Sequence, residues 1–65
     1  AVHRPDRVEL SPDGNVRIID YKFGRRRDEY AVQVAAYADL YRRMGYRNVE
    51  AAVWYVVQDE VQEIS

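Results

Sequence analysis

Val16-Arg17-Ile18-Ile19-Asp20-Tyr21-Lys22-Phe23-Gly24 reads as a strand that ends in an acid, one spacer and a lysine. Valine and isoleucine supply β-branched side chains that fit a pleated surface. Side chains alternate faces along a strand, so Val16, Ile18, Asp20 and Lys22 point one way and Arg17, Ile19 and Tyr21 the other. The carboxylate and the ammonium therefore lie side by side at the strand's end, and Gly24 lets the chain turn away. An acid and a lysine so placed suit a hydrolytic metal site. The carboxylate can hold a divalent cation; the lysine can orient a water, help to deprotonate it or offset charge on a phosphate. The same spacing also suits a plain ion pair at a strand end, so the flanking sequence has to decide.

Upstream, Ser11-Pro12-Asp13-Gly14-Asn15 is a turn, with proline presetting one torsion and Asp-Gly supplying a positive φ. His3 to Leu10 reads as the strand before it. Pro5 places that strand at an edge or an entry point, because proline cannot donate to a ladder. Asp6, Val8 and Leu10 share one face. A carboxylate on an otherwise apolar face costs free energy unless it is paired, hydrogen-bonded or bound to metal. Two strands about a tight turn make an antiparallel hairpin. Asp6 lies seven residues before Asp13 and Asp20 seven after it. The hairpin therefore brings Asp6 close to Asp20, within a register slip of one or two positions.

Downstream, Arg25 to about Glu29 reads as a loop, with Asp28 as the N-cap of a helix that runs to Met44 (about 28–44). The helix is rich in alanine, lacks proline and internal glycine, and is stopped by Gly45. Val34, Ala35, Ala38, Tyr41 and Met44 give it an apolar face. Gln33 and Tyr37, four residues apart, lie together on one side. Val49 to Val57 is a strand apolar on both faces and so central in its sheet. Gln58-Asp59-Glu60 is a polar turn, and Val61 to Ile64 a short last strand. The fold class is α/β (α+β), in the order β-β-α-β-β. One helix cannot cover both faces of a four-stranded sheet. A helix upstream in a longer parent chain, or a second copy of this chain, is expected on the other face, and the open face makes self-association an expected property.

The chain has 65 residues, enough for a single small domain. It contains no cysteine, which excludes disulfides and thiolate metal sites and fits a cytoplasmic protein. No apolar run approaches the roughly 20 residues of a membrane span, and no signal peptide is recognisable, so no membrane partner is expected. The net charge of −1 gives no overall basic signature for nucleic acid. Locally, Arg25-Arg26-Arg27 is a basic run that suits either a solvated loop or a phosphate contact. Ala1-Val2-His3-Arg4 reads as the middle of a strand, so the chain is expected to be part of something longer.

Arg4-Pro5-Asp6-Arg7-Val8, Ile19-Asp20-Tyr21-Lys22-Phe23-Gly24 and Gln33-Val34-Ala35-Ala36-Tyr37, in this order, resemble the motifs of the PD-(D/E)XK nuclease superfamily. Met44-Gly45-Tyr46 and Val53-Trp54-Tyr55-Val56 are similar to the region that follows. Within the superfamily the chain looks most like the RecB-like branch, found in bacterial UvrD-type helicases such as RecBCD and AddAB. The resemblance implies a partial restriction-endonuclease-like core with a mixed sheet, whose upstream helix and further histidine lie outside this chain. His3 is not a substitute for that histidine and reads as an ordinary strand residue. Asp6 and Asp20 are implied as metal-binding acids, with the Tyr21 carbonyl as a further ligand. Lys22 is implied as the residue that positions or activates water, and Gln33 and Tyr37 as an auxiliary motif that contacts DNA or steadies the lysine. The implied cofactor is Mg²⁺ or Mn²⁺, and the implied reaction is hydrolysis of a DNA phosphodiester within a helicase–nuclease of recombination and repair. By itself the 65-residue stretch is expected to be inactive.

Two other readings stand beside this one. A non-catalytic DNA-binding scaffold of the same fold would draw its affinity from Arg25, Arg26 and Arg27, and its binding would fall steeply with salt. A small protein-interaction module would show Asp6 and Asp20 pointing apart.

Overall fold

The computed structural model describes residues 5–64. Its elements are β1 (Arg7–Leu10), β2 (Asn15–Lys22), α1 (Asp28–Arg43), β3 (Asn48–Tyr55) and β4 (Glu60–Glu63). They form one four-stranded sheet in the order β1-β2-β3-β4. β1 and β2 are antiparallel, β2 and β3 parallel, and β3 and β4 antiparallel. A parallel pair needs a crossover, and α1 provides it. The order β-β-α-β-β is the one the sequence predicts, and this mixed α+β arrangement is consistent with the partial restriction-endonuclease-like fold that the resemblance implies.

The β1–β2 turn is built by its own residues. The Gly14 N–H donates to the Ser11 carbonyl at 3.0 Å and the Asn15 N–H to Ser11 Oγ at 3.1 Å. Gly14 sits at φ +84°, where a side chain would be strained. β1 is shorter than the sequence suggests. Pro5 and Asp6 precede the ladder instead of joining it, and His3 and Arg4 lie outside the described residues.

The N-cap of α1 is Arg27, extended at φ −138° and ψ 140°, and no side chain caps the helix. Asp28, expected as the cap, is instead the first helical residue, where its charge suits the positive end of the helix dipole. At the other end Met44 is the C-cap, and Gly45, at φ +103°, donates its N–H to the Arg42 carbonyl at 3.0 Å. The Arg42 guanidinium bonds the Val49 carbonyl at 3.1 Å, tying the helix end to β3.

Alternation along β2 and β3 puts Val16, Ile18, Val49, Ala51, Val53 and Tyr55 under the helix, where Val34 and Ala38 close the core. The register Val16↔Val49, Ile18↔Ala51 and Asp20↔Val53 keeps these layers level. Tyr30, Tyr37 and Tyr41 pack around them from the helix. Two residues assigned from the sequence to that face are not on it. Ala35 is exposed, and Met44 is 63% exposed beyond the last turn. β3 is central, as expected, but stops at Tyr55; Val57 belongs to the following turn and is exposed.

The second face has no helix on it among the described residues. Ile19, Ala52, Trp54 and Val61 line a shallow cleft of about 240 Å³ there, with Arg17 and Asp59 at its margin. Tyr21 packs beside Trp54 with ring centroids 5.5 Å apart.

Candidate active site

The hairpin register decides where the two acids meet. Arg7 lies opposite Ile19, so the next step out of the ladder sets Asp6 opposite Asp20. Each carboxylate then accepts a backbone N–H from the opposite strand segment. The Asp6 N–H donates to Asp20 Oδ1 at 3.1 Å, and the Tyr21 N–H donates to Asp6 Oδ2 at 2.8 Å. The Asp6 carboxylate is thereby aimed at the end of β2. Asp6 is exposed, whereas Asp20 is 3% exposed on the covered face.

A buried carboxylate must be paired. The partner is Lys22, two residues on and on the same face, with Nζ 3.2 Å from Asp20 Oδ2. The ammonium also lies over the Tyr30 ring, 4.6 Å from its centroid. Tyr30 is absent from the sequence-derived set of site residues. The signal that could have found it is its spacing: Tyr30, Gln33 and Tyr37 are related by i, i+3 and i+7, and so share one stripe of α1.

That stripe faces the acids. Burial, helped by the Asp20 and Asp6 carboxylates, pushes the Tyr37 phenol above its ordinary value of 10.0. The Lys22 ammonium and a hydrogen bond with the Gln33 side chain act in the opposite direction. Tyr37 is therefore a neutral hydroxyl, within electrostatic reach of Asp6, Asp20 and Lys22. Gln33 and Tyr37 stand together, as their spacing predicts.

Arg25, Arg26 and Arg27 leave the same end of β2, in the exposed link to α1. The Arg27 guanidinium pairs with Glu29 at 3.2 Å. The backbone of this link is held from below. The hydroxyl of buried Tyr55 accepts the Arg27 N–H at 3.3 Å, and Gln58 Nε2 donates to the Gly24 carbonyl at 3.3 Å. The basic run thus lies beyond the C-terminal ends of the parallel strands β2 and β3, where open sheets that contain parallel strands commonly bind ligands.

Asp6 and Asp20 offer hard oxygen donors, and no group of three or more acids, histidines or cysteines suited to a metal ion occurs among the described residues. A pair of carboxylates is nevertheless what Mg²⁺ commonly takes from a protein, with water and phosphate oxygens completing its shell. The donor set therefore fits a hard divalent cation and excludes a thiolate site.

Residues 3–64 match the sequence profile of the PD-(D/E)XK nuclease superfamily. No curated protein and no solved structure matches the chain. The profile match runs from before β1 to beyond β4 and leaves no element of the sheet outside it. The chain therefore belongs to the PD-(D/E)XK nuclease superfamily, whose members are nucleases that act on DNA and generally use divalent metal ions.

Proposed function

We propose that this chain is the catalytic core of a Mg²⁺- or Mn²⁺-dependent DNA nuclease, and that Asp6, Asp20 and Lys22 carry its chemistry. The observation that supports this most is that the Asp20 carboxylate accepts the Asp6 N–H while the Asp6 carboxylate accepts the Tyr21 N–H beside it, with the Lys22 ammonium 3.2 Å from Asp20. Asp6, Asp20 and the Tyr21 carbonyl are the proposed cation ligands. When bound, the cation lowers the pKa of a coordinated water and offsets charge on the phosphate. Lys22 holds the attacking water by hydrogen bonding and balances the negative charge that grows on the phosphoryl oxygens. In the net reaction a water oxygen bonds to phosphorus, the bond from phosphorus to a sugar oxygen breaks, and that oxygen takes up a proton.

Gln33 and the neutral Tyr37 hydroxyl present hydrogen-bonding groups to a phosphate or to Lys22. Arg25, Arg26 and Arg27 engage the DNA backbone. The wider setting we propose is a cytoplasmic helicase–nuclease of recombination and repair, in which the rest of the parent chain supplies the helicase.

The test is cleavage of end-labelled DNA by the protein that carries this chain, with Mg²⁺ or Mn²⁺ supplied. Asp20→Asn is expected to lower cleavage by on the order of a hundredfold or more while leaving ATP hydrolysis intact. Undiminished cleavage by that variant would refute the assignment. Saturable Mn²⁺ binding by calorimetry, lost in both Asp6→Asn and Asp20→Asn, is the companion measurement. The exposure of Arg25 and Arg26 keeps a DNA-binding scaffold as the second reading. Salt-sensitive DNA binding with no cleavage and no Mn²⁺ binding would favour it.

A further inference from the structure

We infer that Tyr30 is a positioning residue for Lys22, holding its ammonium over the face of the aromatic ring while Asp20 pairs with it. This inference rests on the nuclease reading for its catalytic consequence, but its structural content can be tested separately.

A lysine ends in a compact charge on a flexible four-carbon stem. A lysine that must present that charge to a water or a phosphate needs support on more than one side. Asp20 gives one support, at 3.2 Å from Nζ. Asp20 is also one of the proposed cation ligands, so its carboxylate would be shared between a cation and Lys22. The Tyr30 ring, 4.6 Å from Nζ, is a second contact that does not depend on that carboxylate. This distance is well inside the roughly 6 Å over which a ring quadrupole attracts a cation.

The ring is itself held in place. Tyr30 packs against Tyr55, with centroids 6.4 Å apart and planes tilted by 41°. Tyr55 is buried in the central strand, and its hydroxyl receives the N–H of Arg27, the N-cap of the helix that carries Tyr30. The support for the lysine thus runs from β3, through two aromatic rings, to the end of β2.

Lys22 is the only lysine in the sequence, so lysine labelled with ¹³C and ¹⁵N reports on this side chain alone. In the 65-residue chain the Lys22 Hε protons are expected to be shifted upfield by the ring current and to show NOEs to the Tyr30 ring. Tyr30→Phe keeps both signatures, and Tyr30→Leu loses them. Hε protons at random-coil positions with no such NOEs, in an unaltered chain whose dispersed β2 and β3 amides show it to be folded, would overturn the inference without recourse to any variant.

The catalytic consequence is read in the protein that carries this chain. Fluorinated phenylalanines at position 30 keep the ring's size while draining its negative face. kcat is expected to fall in steps along that series, by about three- to tenfold overall, with KM unchanged. A flat series would show that the ring acts by packing alone and would overturn the positioning role. An upfield-shifted Lys22 in a protein without cleavage activity would leave the ring–lysine contact standing and remove the nuclease reading.

Discussion

The two faces of this sheet are made by the same strands and carry different loads. On the face under α1, alternate residues of β2 run Val16, Ile18, Asp20, Lys22, and the first three are buried. On the other face the intervening residues run Arg17, Ile19, Tyr21, and none is buried. A carboxylate on the open face could be left to water. Asp20, under the helix, must be satisfied by protein groups, and it takes the Asp6 N–H and the Lys22 ammonium. The covered face therefore imposes geometry on its polar groups, which suits it to chemistry.

Paired substitutions put this contrast at risk. The largest difference is expected between neighbours in β2. Ile18→Ala removes a fully buried side chain and should cost about 2–5 kcal/mol, enough to unfold most molecules of a domain this small. Ile19→Ala, half-buried on the open face, should cost roughly 1 kcal/mol. Urea denaturation of both variants measures the gap, and equal losses would mean that the open face is packed as tightly as the covered one.

A smaller difference is expected between two tyrosines. Tyr55→Phe removes the hydroxyl that receives the Arg27 N–H, and should cost about 1 kcal/mol with faster hydrogen exchange in the first turn of α1. Tyr21→Phe, on the open face, removes a hydroxyl beside the Arg7 guanidinium and should change stability by less than about 0.5 kcal/mol. Comparable losses would sink the distinction.

The smallest effect is a matter of pH. Tyr37 has its folded-state value raised above 10.0, so between the unfolded and folded values the native state binds the extra proton. The contribution is complete below the unfolded value and is lost as pH rises through the folded one. Stability should therefore fall more steeply above pH 10 in the unaltered chain than in Tyr37→Phe. Parallel curves would place the Tyr37 hydroxyl in ordinary solvent.

The sequence made the hairpin and the pairing of its acids legible, for local reasons. Asp13-Gly14 marks the turn, and equal spacing to Asp6 and Asp20 brings the acids together to within a register slip of one or two positions, which the ladder resolves. That Gln33 and Tyr37 lie side by side was legible from helical periodicity; their role is implied only by the family resemblance. The start of β1 was not, because pattern extends a strand through Pro5 and Asp6 while the ladder begins at Arg7. Asp28 has a favoured capping side chain, yet the extended backbone of the N-cap falls at Arg27. Ala35 and Met44 were assigned to the core by being apolar, although the exact stripe of α1 that faces the sheet is set by tertiary packing. The helical stripe shared with Gln33 and Tyr37 points to Tyr30, but its contacts with Lys22 and Tyr55 join distant elements, which no local pattern reveals.

The parallel pairing of β2 with β3 also orders events in time. Asn15 and Asn48, whose side chains bond at 2.9 Å across the two strands, are 33 residues apart in the chain. The hairpin pairs residues far closer in sequence, such as Leu10 with Val16. Closing the longer loop costs more entropy and slows folding. The Asp6–Asp20 linkage can therefore form with the hairpin, whereas Tyr55, and through it the aromatic support beneath Lys22, arrives only when β3 docks. Folding followed by pulse-labelled hydrogen exchange should show amides of β1 and β2 protected before those of β3. The acids would then be assembled early and the lysine's seat last, so that a nascent chain holds an incomplete centre until its sheet is closed.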